Sequence, residues 1–406
     1  MNTSAKDDAA NKLYIRPDVS LYKSIEGEAP PDGTDFSRIE LWMEFKTNSR
    51  GVAFRDPHKI SKDLKDNTTE DRKRLMIEKG LFTPNTAEGV EARGQLANYA
   101  GALHSMQFRH FSYSVVIEGD YARFLRWDTS GTVVTAAFNY RKNPEILAEF
   151  LWRFDQLTQK ERGHDDSVRP AQLPEDVDAC VREKLEIKDR NVPLYEYDFP
   201  GLEEKGHGYG PRPPSHNRSL VSRCTRTSPM VWIPKLVRQD DVTSCNNTDA
   251  QPSQDHARKD ETEPWSKERV VYLKDTWRFL SDLSDVEVIP EHNIYALLSK
   301  AGTPNIPEVV AGGDVPDGMT KTQEVVDAEW LCVKPKITPR QHYRLVLGTV
   351  GRPLTTFRST KELVTGVLDA MEGMLYARLS TTNHRSQSNT QPIPMHSTRQ
   401  RSCIGI

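Results

Sequence analysis

Apolar positions in this chain fall into short alternating runs and a few helical stripes, separated by stretches almost free of aliphatic residues. Residues 38–46 (RIELWMEFK) alternate most cleanly. Ile39, Leu41, Met43 and Phe45 share one face and Glu40, Trp42, Glu44 and Lys46 the other, which predicts a strand. Residues 11–22 predict another strand. FSYSVVIEGD and YARFLRWD meet at Gly119-Asp120 and predict a hairpin, and GTVVTAAFNY a further strand. Residues 89–107 suit a helix that sets Gln95 and Tyr99, four apart, on one face. NPEILAEFLWRFDQLT predicts an amphipathic helix with Asn143 as cap and Pro144 in the first turn. PEDVDACVREKLEI suits a short helix.

Farther along, residues 268–278 (ERVVYLKDTWR) predict a strand with Lys274 on the face of Val270 and Tyr272. PEHNIYALLSKAGTPNIPEVVAGG reads as a helix, a break at Gly302 and a strand. QHYRLVLGTVGRPLTTF is a strand running into a Gly/Pro-marked hinge. The helix after it, 359–377, is capped by Ser359 or Thr360. It carries an apolar stripe of Leu363, Val367, Leu368, Met371 and Leu375, a surface for a protein partner if nothing else covers it.

The gaps between these elements set the expected organisation. Residues 239–263 lack aromatics and nearly all aliphatics, which predicts a disordered insert; residues 380–402 are Ser/Thr/Asn/Gln-rich and predict a disordered tail. The Gly/Pro-punctuated segment 201–216 reads as a linker. The expected layout is an α/β block over 10–165, a connector over 166–216, a second block over 217–378 and a tail over 379–406. A length of 406 residues fits two or three domains. Hydrophobic residues make up 36% and charged ones 28%, and no apolar run approaches the roughly 20 residues of a membrane span. No secretory signal is visible at the N-terminus, and net charge -3 argues against a chain built to coat nucleic acid. Five widely spaced cysteines without a CxxC argue against a zinc ribbon or disulfide framework, so the expected location is intracellular, cytoplasm or nucleus.

One polar set in the first block has the composition of a metal site. Asp18 follows Pro17, Glu44-Phe45-Lys46 follows on a strand, and Gln95 lies on the next helix. This set resembles the PD-(D/E)XK restriction-endonuclease superfamily. Two carboxylates can hold a hard cation such as Mg²⁺, which polarises a phosphoryl oxygen and activates water. A lysine two residues along the strand points to the same side and can stabilise charge on the phosphate. The resemblance implies Asp18 and Glu44 as metal ligands, with Lys46 and Gln95 completing the site. The competing account is a solvated strand face. Arg16, Lys46, Arg50, Arg55 and the run Asp71-Arg72-Lys73-Arg74 are available to phosphates, but their acidic neighbours favour ordinary surface.

The second block has the order strand with lysine, helix with glutamate, strand, hinge, helix. The phrases RFLRWD with NPEILAEFLWRF, VVYLKDTWR, and HYRLVLGTVGRPL resemble the fungal-type protein kinase family over about residues 14–377. The resemblance implies a protein-kinase-like small lobe, with Lys274 contacting ATP phosphates and Glu291, or alternatively Glu287, as its ion-pair partner. Leu347-Gly348-Thr349-Val350 would be the adenine-contacting hinge. A plain surface lysine is the competing account of Lys274.

This sequence also departs from that family. NRSLVSRCTRTSPMVWI has no glycine between Arg218 and Ile233, so the usual phosphate cradle is missing; Ser222, Arg223 and Thr225 are the remaining phosphate candidates. His384-Arg385 is followed by Ser386 where a kinase needs Asp, and no D-F-G follows. The expected fold class is therefore α+β, a restriction-endonuclease-like block followed by a kinase-like small lobe with an incomplete large lobe. The expected function is a fungal-type kinase relative without catalytic loop, a pseudokinase or truncated product, binding ATP weakly and transferring no phosphate. The alternatives are an Mg²⁺-dependent nuclease-like or nucleic-acid-binding module in residues 10–165 and a non-catalytic scaffold.

Overall fold

The computed structural model describes residues 15–24, 31–46, 52–56, 82–198, 219–223, 230–233, 269–280, 288–328, 337–351 and 354–385, with a few isolated positions besides. The predicted linker 201–216, the insert 239–263 and the tail from 386 onward lie outside the described residues. The architecture is α+β, with two large sheets and one two-stranded pair.

The first sheet contains β2 (Val19–Tyr22), β4 (Ile39–Lys46), β5 (Phe111–Glu118), β6 (Tyr121–Asp128) and β7 (Gly131–Val134) in the order β2-β4-β5-β6-β7, and β8 (Phe138–Asn139) pairs with β6. β4 and β5 are parallel, and α1 (Ala87–Met106) makes the crossover between them; the other neighbours are antiparallel. Two short strands, β1 (Ser4–Ala5) and β3 (Gly33–Thr34), pair apart from this sheet. Thr86 caps α1 by accepting from Gly89 N–H at 3.1 Å. The hairpin turns at Gly119-Asp120, where Gly119 takes φ +61.

Helices cover both faces of this sheet. Leu96, Tyr99, Ala100 and Leu103 of α1 pack with Ile39, Trp42, Val116 and Leu125. On the other side, α2 (Pro144–Gln156) sets Leu147, Phe150, Leu151 and Phe154 against Leu41, Met43, Val115 and Ile117. Phe124 stacks on Phe150 at 4.0 Å. The solvated-face account of 38–46 is therefore corrected: Trp42 and Glu44 are buried on the α1 side and Glu40 against Arg109 and His164, and Ile39 packs with Trp42 rather than with Leu41 and Met43, while Phe45 at the strand end is exposed. Alternation gives the two faces, but a helix contributed from elsewhere decides which is wet. The predicted strand over 131–140 splits into β7 and β8, and among the described residues of 11–22 the strand covers Val19–Tyr22. Asn143 does precede α2, but Pro144 at its first position rather than an Asn143 side-chain bond begins it.

The second sheet runs β14-β15-β13-β12-β11-β10-β9, antiparallel throughout. Its strands are β9 (Val168–Pro170), β10 (Leu194–Asp198), β11 (Ser219–Arg223), β12 (Met230–Ile233), β13 (Arg269–Phe279), β14 (Val309–Met319) and β15 (Arg340–Leu347). α3 (Glu175–Lys184) sits between β9 and β10, and its Val181 packs with Leu185, Ile187 and Leu194. The expected connector 166–216 thus contributes two strands and a helix to the second sheet. α4 (Glu291–Lys300) joins β13 to β14, and Gly302, at φ +71, ends it.

α5 spans Thr360–Arg385. Ser359 Oγ accepts from Glu362 N–H at 3.2 Å and the Glu362 carboxylate accepts from Arg358 N–H at 2.7 Å, a reciprocal start of the capping-box kind. The helix passes the predicted tail boundary at 378, because Ala377, Arg378 and Leu379 continue a helix-compatible run with no Gly or Pro to stop it. Val367, Leu368, Met371 and Leu375 of its stripe are exposed. No helix among the described residues is long and apolar enough to cross a membrane.

Candidate functional sites

The first site assembles around Lys46. Its ammonium donates to Glu44 Oε1 at 2.7 Å and also to Gln95 Oε1. Gln95 in turn donates from Nε2 to Tyr99 Oη at 2.5 Å, and Tyr99 Oη donates to the Arg16 carbonyl at 2.8 Å. Asp18 enters from the start of β2, where its Oδ2 accepts from Phe45 N–H at 2.8 Å. β2 and β4 are antiparallel neighbours, and α1 crosses over them, so all four sequence candidates (Asp18, Glu44, Lys46 and Gln95) converge. Burial pushes the Glu44 carboxyl above its usual range; Lys46 opposes this and the Asp18 charge adds to it. Glu44 Oε2 is buried and accepts no hydrogen bond. Burial likewise pushes the Tyr99 phenol up to about 12. Arg50 and the basic run 72–74 lie outside the described residues.

The second site lies on the other sheet. Lys274, central in β13 and paired with Leu345 of β15, reaches Glu291 at the first turn of α4, with Nζ 2.7 Å from Oε2. Glu287, the alternative partner, lies outside the described residues. α4 is held to the sheet beside this pair: His292 N–H donates to Tyr343 Oη at 2.9 Å and the two rings stack 5.9 Å apart. Gly312 of β14 allows that approach, since a Cβ there would stand 2.5 Å from His292 Cβ. The segment after β15 is tied down by Gly348 N–H donating to the Glu308 carbonyl at 2.8 Å, and Thr349 is exposed next to it. Ser222 and Arg223 belong to β11; Thr225 lies outside the described residues.

A third constellation, unanticipated from the sequence, joins the two sheets. Asp165, buried in the turn after α2, accepts from Arg344 Nη2 at 2.6 Å through Oδ2, and from Ser167 N–H at 3.0 Å through Oδ1. His110 Nε2 and His342 Nδ1 stand 3.1 Å apart, with Asp165 Oδ2 3.6 and 3.7 Å from them. His342 Nε2 faces Asp275 Oδ1 at hydrogen-bond distance, and Trp277 stacks on the His342 ring at 4.9 Å. Burial alone would raise the Asp165 carboxyl, but the His110 hydrogen bond and the Arg344 charge hold it far below its usual range. Further along the seam, Asp128 Oδ2 accepts from Lys321 N–H and Thr322 N–H, both at 2.9 Å. His110 and His342 are 232 positions apart, so no spacing rule could have paired them.

No family model, curated protein or solved structure matches this chain.

Proposed function

We propose that β11–β15 with α4 form a protein-kinase-like small lobe that binds a nucleotide, in a relative of the fungal-type protein kinases. The observation that carries this is the 2.7 Å contact between Lys274 Nζ and Glu291 Oε2. In protein kinases a strand lysine held by a helix glutamate meets the α- and β-phosphates. β15 lies between β13 and β14, so Lys274 pairs with Leu345 and the exposed Thr349 follows four residues farther along that same strand's exit. The sequence holds neither H-R-D nor D-F-G, so the base and metal ligands of phosphoryl transfer are absent from it. Thermal unfolding of the 406-residue chain with and without ATP tests this. A rise for wild type that disappears in Lys274→Ala is expected. No rise for wild type, or an equal rise in the variant, removes the reading.

A second reading is favoured by the unpartnered Glu44 Oε2. A buried carboxylate oxygen without a donor costs free energy unless a cation or a proton meets it. Asp18 and Glu44 would hold Mg²⁺, and Lys46 would stand beside the phosphate of a nucleic-acid substrate, as in PD-(D/E)XK nucleases. Cleavage of linear DNA with Mg²⁺ by wild type, lost in Glu44→Ala, is the expected result. No cleavage, or no Mg²⁺-dependent thermal shift for wild type, ends it.

A further inference from the structure

We propose that His110, Asp165 and His342 bind a zinc-class divalent cation that clamps the two sheets to each other. This site is separate from Lys274 and from the Lys46 cluster and depends on neither reading above.

The ligand atoms come from three segments: the residue before β5, the turn after α2, and β15. All three lie within 4.8 Å of one another. Their separations of 3.1, 3.6 and 3.7 Å bracket the roughly 3.3 Å edge of a tetrahedron with metal–ligand bonds of about 2.0–2.1 Å.

The outer contacts are those a bound metal needs. Asp275 Oδ1 faces His342 Nε2, and an ionised carboxylate only accepts, so Nε2 carries the proton and Nδ1 presents its lone pair toward His110. This is the carboxylate–histidine arrangement that orients metal-binding imidazoles. Asp165 is oriented by Ser167 and Arg344. Its Oδ2 has a second lone pair beyond the one that accepts from Arg344. With neutral imidazoles, Asp165, Asp275 and Arg344 leave one net negative charge around the site, which suits a dication. Two nitrogen ligands favour zinc-class metals over Mg²⁺ or Ca²⁺. Asp165 and His342 side chains are 2% and 0% exposed and His110 is 13% exposed, so a metal would enter past His110, and a water would complete four-coordination.

The test uses the full 406-residue chain stripped with chelator, then titrated with Zn²⁺ against a chromophoric competitor and separately with Co²⁺. Expected are one tight equivalent, the intense visible bands of tetrahedral Co²⁺, and a higher melting temperature for the loaded protein. His110→Gln, at the partly exposed ligand, should weaken binding by at least about tenfold and abolish the bands, and Asp275→Asn should weaken it by about 10–100-fold. Cys180→Ser, at a cysteine of α3 outside the cluster, should change neither. Equal affinity in wild type and His110→Gln, or octahedral cobalt bands in wild type, would overturn the proposal. Circular dichroism of His110→Gln separates loss of the ligand from loss of the fold.

Discussion

Arg109 Nη2 lies 3.0 Å from Glu40 Oε2, and the guanidinium side chain is wholly buried. The same guanidinium also donates to the Arg162 and Ile39 carbonyls and to Gln107 Oε1, at 2.7, 3.2 and 2.7 Å. His164 Nε2 stands 3.2 Å from the Glu40 carboxylate. The pair ties β4 to the turn after α2. Removing one partner of a buried pair leaves a charge with nowhere to go. Arg109→Ala should cost about 3–5 kcal/mol, read as a lower urea midpoint at unchanged m-value. Replacing both members with apolar residues of similar volume should cost much less.

Acid should unfold the protein through the same carboxylate. Burial alone would raise Glu40, but the His164 hydrogen bond and the Arg109 charge lower it from its usual 4.5 to about 2. A carboxyl lowered on folding stabilises above its unfolded value and loses that contribution as pH falls toward the folded one. Stability should therefore decline from about pH 4.5 toward pH 2, with about 3 kcal/mol at stake in Glu40. Asp128 and Asp165, also lowered, steepen the same limb. Glu44, raised by burial, works in the opposite direction. Urea titrations at several pH values should show a shallower acid limb in Glu40→Gln.

Two glycine substitutions should have opposite signs. Gly163 takes φ +97, and a Cβ there would stand 1.9 Å from the Phe111 carbonyl oxygen. Gly163→Ala should lower stability by about 2–4 kcal/mol, because rigid backbone meets rigid backbone. Gly94, in the interior of α1, has no neighbour within 4 Å of such a Cβ. Gly94→Ala should raise stability by about 0.5–1 kcal/mol. Thermal melts of the two variants check both.

Glu291 separates nucleotide binding from stability. Its pair with Lys274 is about one-third exposed on each side, so solvent screens it. Glu291→Ala should change unfolding free energy by less than about 1 kcal/mol. The lysine would then lose its tether, and the thermal shift produced by ATP should shrink or vanish. A full ATP shift in Glu291→Ala would detach the glutamate from nucleotide binding.

The sequence was informative wherever structure is local. Alternation in 38–46, the Gly119-Asp120 turn, both helices of the first block and the Lys274 strand all appear close to their predicted bounds. Asp18, Glu44, Lys46 and Gln95 also meet, since a strand pair and a crossover helix suffice to gather them. What escaped was non-local. Nothing in RIELWMEFK says that a helix fifty residues later will bury Glu44. Val168–Pro170 and Leu194–Asp198 are too short and polar to announce themselves as sheet strands, and their partners lie beyond residue 217 in part. His110, Asp165, His342 and Arg344 each sit singly in unremarkable surroundings, and only the packing of one sheet against the other makes them neighbours.

The seam between the sheets also bears on how the molecule could be taken apart. Ser130 Oγ lies 2.8 Å from Thr320 Oγ1 and 3.0 Å from the Thr338 carbonyl; Asp128 caps the turn at Lys321-Thr322; Asp165 receives Arg344. These polar contacts stand beside an aromatic one, in which Phe108 packs against Tyr195 and Tyr197 of β10 at 5.0 and 5.5 Å. A cut within 199–218 would not part the sheets, because β10 before it pairs with β11 after it and Tyr197 shares a buried core with Val271 and Leu273; the two pieces of a nicked chain should therefore stay joined through strand pairing and apolar packing.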